Sequence, residues 1–143
     1  MKAIKEVGIK KIIKYFGEIL IKFLLSLIIF PPMRTWLLKL LGCHIGKNTI
    51  INNIKFINIY RGGFKNLFIG NNCFVADDVL FDLADKILLE DHVTLAIRSN
   101  VLTHTNVGYK DHPLQSYFPA FTKPVLLKNG CFIGANSTIL PGV

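Results

Sequence analysis

Charged residues are scarce in this chain of 143: Asp, Glu, Lys and Arg make up 18% of it, against 51% hydrophobic. So apolar a composition excludes a disordered segment, and the length suffices for one domain with a real core. Cysteine is limited to Cys43, Cys73 and Cys131, an odd number without CxxC spacing. That excludes a disulfide framework and the usual zinc spacings, and leaves small core thiols in a reducing compartment. Acidic residues are few, giving a formal charge of +8, but the excess is local. Residues 1–41 hold eight Lys/Arg against Glu6 and Glu18, a balance of +6. Beyond residue 41 no basic stripe could follow a phosphate backbone, so nucleic acid is excluded as a partner. Long apolar runs are also missing: Phe23 to Phe30 falls short of the roughly 20 residues a spanning helix needs. No small-residue cleavage site follows it, which argues against a signal peptide.

The basic segment has a helical rhythm. Ile9, Ile12, Phe16, Ile19, Leu20, Phe23, Leu24 and Leu27 recur at helical spacing, with Lys10, Lys11, Lys14 and Glu18 on the other face. Pro31-Pro32 is expected to stop this helix. Arg34 to Leu41 reads as a second, short helix, capped by Gly42. A basic amphipathic helix in the membrane interface fits this pattern, its lysines toward anionic headgroups. The alternative is that the apolar face packs on the rest of the chain or on a partner subunit.

A six-residue rhythm of aliphatic residues followed by small or polar ones fills the remainder. It reads Ile69-Gly70-Asn71-Asn72-Cys73-Phe74 and Val75-Ala76-Asp77-Asp78-Val79-Leu80, and returns from Leu89, Leu95, Leu127 and Ile133. A period of six is neither strand nor helix; it is the hexapeptide signature of a parallel β-helix. Ile45, Ile51, Ile57, Ile69, Val75, Phe81 and Ile87 share one phase, which slips by two at Leu89. Three hexapeptides make one triangular coil. Gly and Asn are expected at its corners, where left-handed backbone is needed. Residues 51–68 are degenerate, so the first coils are expected to be irregular. Between Thr103 and Leu126 the rhythm is lost among Gly108, Pro113, Pro119 and Pro124. A long irregular segment in such a scaffold reads as a functional loop.

From Gly42 to Val143 the sequence resembles the hexapeptide-repeat O-acetyltransferases, the group of galactoside, maltose and polysaccharide acetyltransferases. The resemblance rests on Val101-Leu102-Thr103-His104 leading into the loop, and on Cys131-Phe132-Ile133-Gly134-Ala135-Asn136-Ser137-Thr138-Ile139-Leu140-Pro141-Gly142-Val143 after it. It implies an all-β, left-handed parallel β-helix over 42–143 with an N-terminal α-helical arm over 1–41. It also implies acetyl-CoA as acyl donor, direct transfer to a saccharide hydroxyl, a homotrimer with sites between prisms, and no metal. His104 matches the family's catalytic histidine. A neutral imidazole within reach of an alcohol can take its proton as it attacks a thioester, with backbone N–H groups at the coil edge to receive the oxyanion. Asp82 matches a position near the acceptor hydroxyl, where it could orient the sugar or the imidazole. Its plain alternative is a coil-corner aspartate serving the backbone. Phe132, Gly134 and Ala135 match positions lining the pantetheine channel. Tyr109, with Tyr117 and Phe118, is a candidate for stacking on a sugar ring. His112 rivals His104 within the loop; His44 and His92 read as incidental.

Cell-surface polysaccharide biosynthesis is the expected setting, with a lipid-linked acceptor at the inner face of the cytoplasmic membrane and peripheral contact through residues 8–41. Because relatives continue for further coils, the chain reads as truncated at Val143. An inactive membrane-associated scaffold or fragment is therefore an alternative, as is an amino-sugar N-acetyltransferase. A metal-dependent carbonic anhydrase on the same scaffold would need three converging histidines, for which His92, His104 and His112 lack the spacing.

Overall fold

Aliphatic residues six apart meet one another when each turn of chain returns them to the same face of a triangular prism. The computed structural model describes residues 9–143, with side chains from Tyr15 onward. Its strands form three four-stranded parallel sheets. One face holds β1 (His44–Ile45), β4 (Leu67–Ile69), β7 (Ile87–Leu89) and β12 (Val125–Leu127). The second holds β2 (Ile50–Ile51), β5 (Phe74–Val75), β8 (Thr94–Leu95) and β13 (Phe132–Ile133). The third holds β3 (Lys55–Ile57), β6 (Leu80–Asp82), β9 (Asn100–Val101) and β14 (Thr138–Ile139).

Register fixes three ladders inside the prism. They are Ile45–Ile69–Leu89–Leu127, Ile51–Val75–Leu95–Ile133 and Phe56–Phe81–Val101–Ile139. Two readings of the six-residue phase are corrected here. Phe56, not Ile57, takes the ladder position opposite Phe81, and Ile57 pairs with Asp82, because the turn before β3 is one residue short. Ile87 does point inward, but it pairs with Leu67 and Val125, two residues ahead of the ladder member Leu89.

The corners are built by two different devices. Asn48, Asn72 and His92 hold φ of +54° to +58° at one corner, and Asp78, Arg98 and Asn136 hold similar values at the next. Gly46 and Gly70, expected to be left-handed, are not. A Cβ on Gly70 would lie 2.7 Å from the Glu90 carbonyl carbon, and one on Gly46 would lie 2.6 Å from that of Gly70. These glycines let successive coils stack.

Irregularity gathers at the third corner. Ladder members there are separated by 13, 8 and 26 residues, from Phe56 to Ile69, Phe81 to Leu89 and Val101 to Leu127. The first coil is irregular as expected, with a short turn before β3, but all three of its strands are present. Its extra residues form an excursion containing a one-turn helix (Ile59–Gly62) and a 3-10 turn (Phe64–Asn66). The loop after β9 is closed at its base by an antiparallel pair, β10 (His104–Thr105) with β11 (Phe121–Thr122). It carries a 3-10 turn (Pro113–Ser116) and ends before Val125, where β12 begins, so Val125 and Leu126 belong to the prism.

The arm comprises α1 (Ile9–Ser26) and α2 (Pro31–Leu40). Pro31 and Pro32 open α2 rather than stopping α1, as suits proline in a first helical turn. The second helix ends as expected: the Gly42 N–H donates to Lys39 O at 3.0 Å, with φ +106°. It covers the first coil, burying Leu38 completely and sending Arg34 Nη1 to Ile51 O at 3.3 Å. Lys2 and Lys5, counted in the basic arm, lie outside the described residues, as do the side chains of Lys10, Lys11 and Lys14. Glu18, expected on the exposed polar face, is buried at 3%. It pairs with Lys22 at 2.6 Å and accepts the Tyr60 N–H at 3.3 Å. No helix among the described residues is long and apolar enough to cross a membrane.

Candidate active site

Three polar side chains stack at the irregular corner, one from each of the first three coils. Asn58 follows β3, Asp82 ends β6, and His104 follows β9. Asn58 takes the left-handed conformation, φ +59°, as the chain leaves the strand for its helical excursion. Asp82 is wholly buried and lies at the centre of the group. Its Oδ2 accepts the backbone N–H groups of Thr103 and His104, each at 3.0 Å, and its Oδ2 meets His104 Nδ1 in a short hydrogen bond. Its Oδ1 accepts Asn58 Nδ2 at 2.7 Å and the Ala84 N–H at 3.3 Å. Thr103, itself buried, donates its hydroxyl to Asp82 O at 2.6 Å and accepts the Asp85 N–H at 3.0 Å. The turn that presents His104 is therefore clamped to the coil above.

Burial alone would push the Asp82 carboxyl up. The hydrogen bonds from His104, Asn58 and Thr103 outweigh it and hold the group below the ordinary carboxylate value. An ionised Asp82 requires the proton of a neutral His104 to sit on Nδ1. Nε2 is then an unprotonated acceptor. Asn58 Nδ2 also lies 3.3 Å from Nδ1, but two donors cannot bond, so its bond to Asp82 is the one that counts. The His104 side chain is 24% exposed. The corner therefore holds a partly exposed imidazole oriented from behind by a buried carboxylate.

Of the two roles open to Asp82, the contacts favour the imidazole. The carboxylate is 0% exposed and offers no edge to an acceptor. Tyr109 is half-exposed on the loop five residues beyond His104, its carbonyl accepting Gln115 Nε2 at 3.4 Å. Phe132 is 71% exposed, and Gly134 and Ala135 follow it at the corner between the second and third faces. Within one chain that corner is not the one carrying His104.

The other histidines have ordinary employment. His44 stacks on Phe68 with ring centroids 4.5 Å apart. His92 is a left-handed corner residue. His112 Nδ1 caps the loop's 3-10 turn by accepting the Leu114 N–H at 3.1 Å. None joins His104, and among the described residues no group of three His, Cys, Asp or Glu could hold a metal ion. Cys43 and Cys73 are buried thiols; burial pushes Cys43 up to about 12. Cys131, expected in the core, is only partly buried on the fourth coil. The residue that sequence reasoning missed is Asn58. Its signal was positional: a polar residue leaving the third face just where the rhythm breaks, as Asp82 and His104 do.

A prism of hexapeptide coils with an aspartate-held histidine at the mouth of its loop defines a class, the hexapeptide-repeat β-helix proteins. No protein-family model matches the chain. It is 28% identical over 111 residues to a protein of Escherichia coli strain K12 provisionally assigned as the colanic acid biosynthesis acetyltransferase WcaF. The Shigella flexneri protein of that name matches equally. The match takes in 77% of this chain and 56% of each relative, so the chain spans little more than half their length. A crystal structure of a hexapeptide-repeat-containing acetyltransferase from Vibrio cholerae superposes with a TM-score of 0.70 at 20% identity, covering 85% of this chain and 65% of that one. The fold is the expected left-handed parallel β-helix with an N-terminal helical segment. In sequence the chain is similar to these acetyltransferases, and it shares the fold of the hexapeptide-repeat protein.

Proposed function

We propose that the protein is an acetyl-CoA-dependent O-acetyltransferase acting on a saccharide hydroxyl in cell-surface polysaccharide assembly. One observation carries the reading: His104, partly exposed where the loop leaves the prism, is held through Nδ1 by the buried Asp82. The donor supplies an acetyl group already activated as a thioester. Nε2 takes the proton of the acceptor hydroxyl as the oxygen bonds to the acetyl carbon. The imidazolium so formed is stabilised by Asp82, and the same proton passes to the sulfur as its bond to the acetyl carbon breaks. Protons and bonds balance, with one ester formed and one thiol released.

The strip of Phe132, Gly134 and Ala135 is the proposed donor-binding edge. It lies at a different corner from His104, which supports a homotrimer whose sites form between neighbouring prisms. Tyr109, on the same loop as His104, is the proposed acceptor contact. The arm is proposed to touch the inner face of the cytoplasmic membrane through residues 8–41, where a lipid-linked acceptor would be found. Release of CoA from acetyl-CoA, measured with and without a pool of glycan acceptors, tests the reading. Acceptor-dependent release is expected, and its absence for every glycan overturns saccharide transfer.

A further inference from the structure

Helix α1 meets the prism with its more polar side. From Tyr15 onward its buried or half-buried residues are Glu18, Ile21, Lys22 and Leu25, spaced as one helical stripe. The opposite stripe, Phe16, Leu20, Phe23 and Leu27, stays between 59% and 67% exposed. Helix α2 behaves likewise, burying Arg34 and Leu38 while Met33, Trp36 and Leu40 stay about as exposed. Between the helices Ile29 is 90% exposed. A surface helix normally turns its apolar stripe inward. Here both helices turn it out, and apolar patches of this extent mark interaction sites.

We infer that these two outward stripes dock on an anionic lipid bilayer, and that the Glu18–Tyr60 contact aims the His104 corner relative to that bilayer. Charge selects the occupant. Residues 1–41 carry a balance of +6. A two-fold contact between copies would set this cationic segment against itself, whereas anionic headgroups attract it. The stripes are rich in Phe, Leu and a Trp, as suits insertion at a headgroup boundary. The aim comes from connectivity. Glu18 accepts the Tyr60 N–H, and Tyr60 lies two residues after Asn58, whose side chain is bonded to Asp82. The arm is thus anchored on the excursion that leaves the site's own corner. The aim at a lipid-linked acceptor rests on the transferase reading; the docking does not.

Trp36 is the chain's one tryptophan and is 64% exposed, so its emission reports the surface directly. The full chain is titrated with vesicles of phosphatidylcholine alone and of phosphatidylcholine mixed with phosphatidylglycerol. A blue shift is expected with the mixed vesicles and little with the neutral ones. In the double variant Phe23→Asp/Leu27→Asp, both at exposed positions, partitioning should fall by about 100-fold or more while the fold is kept. No shift with mixed vesicles, or equal shifts with both, overturns the inference. So does a protein-concentration-dependent blue shift without vesicles, which would mean that a second copy covers the stripes. Turnover supplies the second arm. The double variant should lose activity on a lipid-linked glycan but keep it on a soluble one; equal loss on both overturns the aim. A wild type inactive on both removes the transferase reading and the aim with it, while the vesicle titration still decides docking.

Discussion

Replacing Asp82 by Asn keeps the side chain's shape and removes its charge. The amide can turn its NH2 toward Asn58, which can rotate to accept, while its oxygen stays on the N–H groups of Thr103 and His104 and on Nδ1. The imidazole tautomer survives; what is lost is the charge behind it. A hydrogen bond to a charged group contributes about 1.5–3 kcal/mol against about 0.5–1.5 for a neutral one. The imidazolium formed during transfer therefore loses about 1–1.5 kcal/mol, roughly a tenfold fall in turnover. Asp82→Ala is harsher. It leaves the buried N–H of Thr103 and those of His104 and Ala84 without this acceptor, at about 1–3 kcal/mol for each buried donor, and frees the ring. Its turnover should fall by about 10²–10⁴-fold. The pH dependence has a definite sign. Asp82 sits below its ordinary value in the folded chain, so its stabilisation is complete at neutral pH. It is lost as pH falls through that lowered value. The stability gap between wild type and Asp82→Asn should then close in acid. Initial rates of CoA release, with denaturant midpoints at neutral and acid pH, give both readouts. Full turnover in Asp82→Asn with an unchanged acid profile would refute the role given to Asp82.

Asn58→Gly removes the amide without straining the left-handed backbone. It should raise the Asp82 carboxyl toward its ordinary value and cut turnover several-fold, seen as acid destabilisation beginning at a higher pH than in wild type. Gly70→Ala would force a Cβ to 2.8 Å from Asp91 N and 2.7 Å from the Glu90 carbonyl carbon, so it should cost about 1–3 kcal/mol or more in thermal denaturation.

Much of the prism is legible in the sequence because a ladder demands aliphatic residues at fixed spacing, and deviations stand out. The insertion, its histidine and Asp82 could be picked out for that reason. Register within a shortened turn could not: Phe56 and Ile57 are both suited to the core, and only the partner strand decides between them. Asn58 was hidden among degenerate repeats because its role depends on stacking with residues 24 and 46 positions away. The arm was readable as amphipathic, but the side it turns inward was not. Amphipathicity reports which residues share a face, while the choice of inner face is made by partners such as the Tyr60 N–H that Glu18 finds.

The most direct test compares acceptor-dependent CoA release in the wild type and in His104→Ala, with fold and oligomeric state measured in parallel. The account predicts that release disappears in the variant while the β-helix stays intact. Undiminished acceptor-dependent release from a folded His104→Ala protein would contradict it.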